Sequence, residues 1–119
     1  MLKTILVVED DKNQLLLYKQ ELESEGYNVI TARNGVEGIK VVNDYLPDII
    51  VMDIIMPKMD GLEAMGKILS KHRKIPIIIS TAFSCYKVSF LSWSADAYIR
   101  KSSDLQELKN KIKELLENK

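Results

Sequence analysis

DIIVMD, residues 48–53, decides the fold, because four strand-forming apolar residues stand here between two carboxylates. An apolar run without polar alternation is typical of a strand buried on both faces, as in a parallel sheet. Similar but partly weaker patterns predict further strands at residues 5–8, 29–30, 77–79 and 97–99. Asp53 therefore lies at the mouth of a buried strand. A carboxylate in that place must be paired, metal-bound or reactive, because a bare charge is costly to desolvate.

Segments with helical spacing separate these strands. Their apolar positions are Leu15, Leu16 and Leu22, then Val36, Ile39, Val42 and Leu46, then Leu62, Met65 and Leu69, and last Leu105, Leu108, Ile112 and Leu115. Capping pairs are predicted at Asp11 with Gln14 and at Ser103 with Gln106, and Gly26 is placed to end the first helix. Residues 84–94, rich in serine, predict a short or irregular fourth helix. Strand and helix alternate five times, which predicts an α/β fold: a five-stranded parallel sheet with about five helices on both faces.

Length and charge restrict the functional classes. A chain of 119 residues is sufficient for one domain, so residues 1–119 are interpreted as a single domain without an output domain. Basic and acidic residues number 17 each, which gives no overall attraction to nucleic acid or to an anionic membrane. The apolar runs are far shorter than the roughly 18 to 20 residues that cross a bilayer. Cys85 is the only cysteine and excludes an internal disulfide, so we expect a cytoplasmic protein.

Polar residues follow several of the predicted strands. The first delivers Glu9 and Asp10, the third Asp53, the fourth Thr81 and the fifth Lys101. Because the carboxyl ends of parallel strands meet at one edge, where ligands bind, these groups should converge. Three acids in one crevice repel each other unless a cation lies among them, and oxygen-only ligands favour Mg²⁺. A metal ion, a hydroxyl and an ammonium aimed at one carboxylate are the parts needed for phosphoryl transfer to Asp53.

Four motifs in order carry a family resemblance. They are ILVVED at residues 5–10, DIIMPKMDG at residues 53–61, STA at residues 80–82 and ADAYIRK at residues 95–101. With them the whole chain resembles the receiver domain of a two-component response regulator, of the CheY-like or flavodoxin-like superfamily. The resemblance implies a doubly wound sheet with the strand order 2-1-3-4-5.

The resemblance also implies the chemistry of the acids. Asp53 would accept a phosphoryl group from a histidine kinase or a phosphotransfer protein. Mg²⁺ would be held by Glu9, Asp10, Asp53 and the backbone carbonyl of Ile55. The domain would catalyse only its own phosphorylation and dephosphorylation, so it is not expected to act as an enzyme on other substrates.

A switch is implied in the same way. Thr81 would hydrogen-bond a phosphoryl oxygen, Lys101 would pair with it, and Tyr98 would turn inward as Thr81 moves. The resulting change would alter contacts with a downstream protein or a second copy of the chain. The surface used would be formed by the fourth helix, the fifth strand and the fifth helix, with no direct partner in nucleic acid or membrane.

The chain departs from the family pattern at several positions. Ser102 follows Lys101 where receivers usually have proline, often after a cis peptide bond. A cis bond before a non-proline residue costs about 2.5 to 4 kcal/mol, so a trans bond is expected here. The interval from Thr81 to Lys101 is about two residues shorter than is typical, a difference that falls in the fourth helix. Ile55 and Phe83 occupy positions that influence hydrolysis in the family; both are apolar, which predicts a long-lived aspartyl phosphate.

Two alternative functions stay open. One is an interaction module that keeps the receiver fold without phosphorylation; Ser102 is its only support, and the complete set of acids argues against it. The other is a phosphohydrolase that works through an aspartyl phosphate. Such an enzyme needs a second acid two residues after the nucleophile, and Ile55 occupies that position.

Overall fold

The computed structural model describes residues 2–53, 61–72, 74–81, 96–100 and 104–117. The strands are β1 (Thr4–Val8), β2 (Asn28–Ala32), β3 (Ile49–Met52), β4 (Ile77–Thr81) and β5 (Ala97–Arg100). The helices within these ranges are α1 (Lys12–Ser24), α2 (Gly35–Tyr45), α3 (Gly61–Lys71) and α4 (Gln106–Glu117). The predicted fourth helix, residues 84–94, lies outside the described residues, so α4 corresponds to the last helix predicted from the sequence.

The strands form one parallel sheet with the order β2-β1-β3-β4-β5. This α/β architecture and strand order agree with the prediction. The strand order reverses at β1, whose two neighbours are β2 and β3. Ligand sites in such sheets lie outside the carboxyl ends of the strands beside such a reversal, and this is where the predicted acids stand.

Alternate residues of the central strands enter two separate apolar clusters. Leu6, Ile50 and Ile79 pack with residues of α2 and α3, whereas Val7 and Ile78 pack on the opposite face with residues of α1 and α4. Both faces of the sheet are therefore covered by helices. This explains why the strands read as uninterrupted apolar runs.

Side-chain caps fix where the helices begin. Asp11 Oδ1 accepts hydrogen bonds from the N–H groups of Asn13 at 2.9 Å and Gln14 at 3.3 Å, which confirms Asp11 as the cap of α1. Gly26 has φ of 95°, a left-handed value that glycine adopts easily, just after α1 ends. Ser103, predicted to cap the last helix, lies outside the described residues.

Three positions predicted to be apolar helix-face positions are not in the core. Leu16 is 54%, Val36 52% and Leu46 59% exposed. Helical spacing located the segments and most of their buried positions correctly, but it misassigned these three, whose exposure depends on how each helix packs against the sheet. None of the helices in the described ranges is long and apolar enough to cross a membrane.

Candidate functional site

Two of the predicted acids extend the hydrogen-bond ladders of the sheet, Asp53 between β1 and β3 and Glu9 between β1 and β2. The Asp53 N–H donates to the carbonyl of Val8 at 3.0 Å, and the Glu9 N–H donates to the carbonyl of Ala32 at 3.0 Å. Val8 and Met52 are register partners, so Glu9 and Asp53 leave the sheet side by side. Regular backbone hydrogen bonding therefore places both residues at the end of the sheet that is formed by the C-terminal ends of the strands.

Glu9, Asp10 and Asp53 form a carboxylate cluster. One oxygen from each lies within 4.8 Å of the oxygens of the other two. Glu9 is 1% and Asp53 7% exposed, whereas Asp10 is exposed. The cluster thus has two deep carboxylates and one at the surface, and it is the only group of this kind within the described ranges.

The loop that carries these acids is held by local hydrogen bonds. Glu9 Oε2 accepts from the Asp11 N–H at 3.1 Å, and Asp11 itself caps α1. The acid loop is therefore tied to the first turn of α1. Such support limits the movement of the carboxylates, as a pre-organised metal site requires.

The donor set fits a hard divalent cation. All three donors are carboxylate oxygens, and such sets suit Mg²⁺ or Ca²⁺ better than softer metals. Three negative groups this close, two of them buried, repel each other in the absence of a cation. The arrangement can therefore hold Mg²⁺ among the three carboxylates, with Asp10 open to solvent.

The structure places the backbone of two other predicted residues at or near the same edge. Thr81 is the last residue of β4 and is the register partner of Arg100. Tyr98 lies in β5 as the register partner of Ile79. The residue that follows Arg100, Lys101, lies outside the described residues, as does Ile55.

A buried hydrogen bond beside this edge was missed by sequence reasoning. The hydroxyls of Tyr18 and Ser80 are 3.0 Å apart and both residues are buried. A serine at the end of the apolar run in β4 was the only signal available. Nothing in the sequence pairs it with a tyrosine 62 positions away.

A five-stranded parallel sheet with acids at a topological reversal defines a flavodoxin-like α/β protein with a cation site. The family model for the response regulator receiver domain matches residues 5–113. The chain therefore belongs to the response regulator receiver domain family.

Individual relatives agree with this assignment. The alkaline phosphatase synthesis transcriptional regulatory protein PhoP of Bacillus subtilis is 36% identical over 118 residues, which are 98% of this chain but 49% of PhoP. The chain thus spans about half the length of this curated relative. The response regulator TrrA of Thermotoga maritima, crystallised with Mg²⁺ and beryllium fluoride, is 44% identical with a TM-score of 0.91, covering 96% of this chain and 99% of TrrA. A second structure, TrrA in complex with the histidine kinase ThkA, gives a TM-score of 0.90 at 44% identity and covers 97% of this chain and 99% of that one.

Proposed function

We propose that Asp53 is the phosphoacceptor of a two-component system and receives its phosphoryl group from a histidine kinase. The observation that carries the proposal is the position of Asp53: 7% exposed, after a buried strand, with Glu9 and Asp10 oxygens within 4.8 Å. The crystallisation of TrrA with a histidine kinase supports the kind of donor. Among the residues that the structure describes, no other group of three acids lies close enough together to hold a metal ion.

The acids would hold Mg²⁺ and orient the reaction. Glu9, Asp10 and Asp53 would supply carboxylate oxygens, and the Ile55 carbonyl is proposed as a further ligand. The ion, when bound, neutralises charge on the phosphoryl oxygens. The complex of TrrA with Mg²⁺ and beryllium fluoride, a phosphoryl mimic, supports this choice of cofactor.

In the transfer, an oxygen of Asp53 attacks phosphorus as the bond from phosphorus to the histidine nitrogen breaks. The bonding electron pair returns to the imidazole nitrogen, and Asp53 becomes an acyl phosphate. We assign Thr81 a hydrogen bond to a phosphoryl oxygen and Lys101 an ion pair with it. Both would stabilise charge that grows on the transferred group. The chain would thus catalyse its own phosphorylation and dephosphorylation and no other reaction.

The output is proposed to be a change of protein contacts. Phosphorylation would favour one of two conformations through Thr81 and Tyr98, and so alter the surface formed by residues 84–94, β5 and α4. A downstream protein or a second copy of the chain would bind there, without direct contact to nucleic acid or membrane. Residues 1–119 are proposed to act as one receiver domain in the cytoplasm, where the lone Cys85 would stay reduced.

Titration with beryllium fluoride in the presence of Mg²⁺ tests this function. We expect saturable binding that requires both reagents and is lost in Asp53→Asn. Asp44→Asn is the matched control, because it removes the same charge from an exposed position on α2. Equal binding by wild type and Asp53→Asn would contradict the proposal.

The same titration tests the first alternative function, and a phosphate-release assay tests the second. An interaction module that does not use phosphorylation predicts no binding of beryllium fluoride by wild type. A phosphohydrolase predicts continuous release of phosphate from generic esters, whereas a phosphoacceptor predicts at most one phosphoryl group per chain.

A further inference from the structure

Tyr18 and Ser80 connect the first helix to the strand that ends at Thr81. The Tyr18 hydroxyl lies 3.0 Å from Ser80 Oγ, and the two residues are 2% and 3% exposed. Tyr18 belongs to α1 and Ser80 to β4. The bond therefore joins two elements across the interior of the apolar cluster that contains Tyr18, Ile78 and Ile99.

Ser80, one end of this bond, is close in backbone register to both residues assigned to the switch. Ser80 is flanked in β4 by Thr81 and by Ile79, whose register partner is Tyr98. Ser80 itself is the partner of Ile99, a buried residue on the Tyr18 face. A shift of the Ser80 backbone would thus move Thr81 directly and disturb the pairing with β5.

Tyr18, the other residue of this hydrogen bond, belongs to the helix that begins beside the carboxylate cluster. Tyr18 lies seven positions after Asp11, about two turns of helix, and Asp11 both caps α1 and donates its N–H to Glu9. Helix α1 therefore connects the carboxylate cluster, which lies beside its first turn, to Ser80 in β4. The chain of contacts runs from Glu9 through α1 and Tyr18 to Ser80.

The hydrogen bond has an energetic consequence for Ser80. Because Ser80 is buried, its hydroxyl cannot readily exchange Tyr18 for water, so movement of Ser80 away from Tyr18 is unfavourable. Movement of the end of β4 away from α1 would break the bond. Its presence thus favours one position of the strand end.

We propose that Tyr18 is a positioning residue that holds Ser80, and through it Thr81, at the place where Thr81 can bond the phosphoryl group. The inference rests on the proposed function of Asp53 and adds a residue that influences the geometry of the same site. Tyr18 touches neither the phosphoryl group nor the metal in this account. It acts through the backbone of β4.

Tyr18→Phe, Ser80→Ala and the double variant test this role by titration with Mg²⁺ and beryllium fluoride. Tyr18→Phe keeps the ring in the core and removes only the hydroxyl. We expect each single variant to weaken binding by about two- to ten-fold, the range of one net hydrogen bond. Both substitutions remove the same hydrogen bond, so the loss of affinity in the double variant should be about that of one single variant. It should be smaller than the product of the two single-variant losses. Tyr45→Phe is the control, since Tyr45 is 65% exposed and should bind as wild type does.

A purely structural role would give a different pattern. A variant that is only less stable is still almost entirely folded, so its affinity for beryllium fluoride would stay unchanged. Only the midpoint of its urea unfolding would fall. Wild-type affinity in both single variants, or full additivity in the double variant, would overturn the inference and leave the function of Asp53 intact. Absence of binding by wild type would instead overturn the proposed function, and this inference with it. Amide chemical shifts of Thr81 should change in Tyr18→Phe but not in Tyr45→Phe.

Discussion

Asp96 and Ile77 exchange two hydrogen bonds. The Ile77 N–H donates to Asp96 Oδ2 at 2.8 Å, and the Asp96 N–H donates to the Ile77 carbonyl at 2.8 Å. This pair fixes the residue before β5 against the first residue of β4. It therefore sets the register in which Thr81 and Arg100 meet at the other end of the two strands.

Asp96→Ala should lower the free energy of unfolding by about 1 to 2 kcal/mol, because it leaves the Ile77 N–H without its side-chain acceptor. Asp96→Asn keeps a carbonyl oxygen in place and should lose less. Urea unfolding of the three proteins measures the difference. An Asp96→Ala variant as stable as wild type would show that water replaces the carboxylate without cost.

Lys109 joins α4 to the end of α1. Its Nζ lies 2.8 Å from Glu21 Oε1 and 3.9 Å from Glu25 Oε2, and its side chain is 17% exposed. The hydrogen bond with Glu21 raises the pKa of Lys109 above its ordinary value of 10.5, and the charges of Glu21 and Glu25 act in the same direction, against the opposing effect of burial. The protonated form is therefore favoured by folding.

The sign of this shift predicts an alkaline effect. A pKa raised by folding gives stability that is complete below pH 10.5 and is lost as the pH rises through the higher value of the folded state. Lys109→Gln should thus be less stable than wild type at neutral pH, and the difference should shrink above pH 10.5. The pKa of Tyr27 is also raised, chiefly by burial, so both proteins should lose stability at high pH for that reason.

Urea unfolding over a series of pH values measures the effect of Lys109→Gln. Lys19→Gln is a control, because Lys19 is 43% exposed and lies 3.7 Å from Glu23 in a pair within one helix. Exposed pairs of this kind contribute little to stability. A constant difference between wild type and Lys109→Gln up to strongly alkaline pH would refute the role assigned to the ion pair.

Gly38 and Gly66 occupy helices but have different surroundings. A Cβ added at Gly38 would lie 3.1 Å from Val8 Cγ2, whereas a Cβ added at Gly66 would meet nothing within 4 Å. Gly66→Ala should raise the free energy of unfolding by about 0.5 to 1 kcal/mol through helix propensity. Gly38→Ala should gain less than this or lose stability, because Val8 is buried and must move.

Thermal or urea unfolding of the two alanine variants checks this contrast. The pair is matched, since each variant adds one methyl group to a helical glycine. Equal stabilisation of both would mean that α2 moves away from β1 without cost. Because Val8 precedes Glu9, Gly38→Ala should also disturb beryllium fluoride binding more than Gly66→Ala does.

The lifetime of the aspartyl phosphate tests the prediction made for Ile55 and Phe83. Ile55 and Phe83 are predicted to hinder an attacking water, so purified phosphoprotein with Mg²⁺ should persist well beyond seconds. Ile55→Asn should shorten the lifetime, because an amide can orient an attacking water and an apolar side chain cannot. Loss of the phosphoryl group is followed by intact mass over time, and a wild-type half-life of only seconds would count against this prediction.

Much of the fold could be predicted because burial on both faces leaves a direct pattern in the sequence. The runs at residues 5–8, 49–52 and 77–79 lie within β1, β3 and β4 and agree with their bounds to within two residues. The acids of the site could be predicted for the same reason, since they follow these runs immediately. Their convergence needs only that parallel strands end at one edge.

Contacts between distant helices and strands could not be predicted in this way. The pairing of Tyr18 with Ser80 and of Lys109 with Glu21 depends on the rotation of each helix about its axis. In α1 the predicted apolar face includes Leu22, which is buried, but also Leu16, which is exposed, and it omits Tyr18, which is buried. Helix orientation is a property of packing against the sheet, and local spacing constrains it weakly.

The role of Asp53 as phosphoacceptor is tested most directly by the mass of the chain after incubation with Mg²⁺ and acetyl phosphate, followed by mapping of the modified residue. We expect the addition of one phosphoryl group, located on Asp53, dependent on Mg²⁺ and absent in Asp53→Asn. Asp44→Asn should be modified as wild type is. A phosphoryl group on another residue, or none on a folded wild-type chain that binds Mg²⁺, would contradict it.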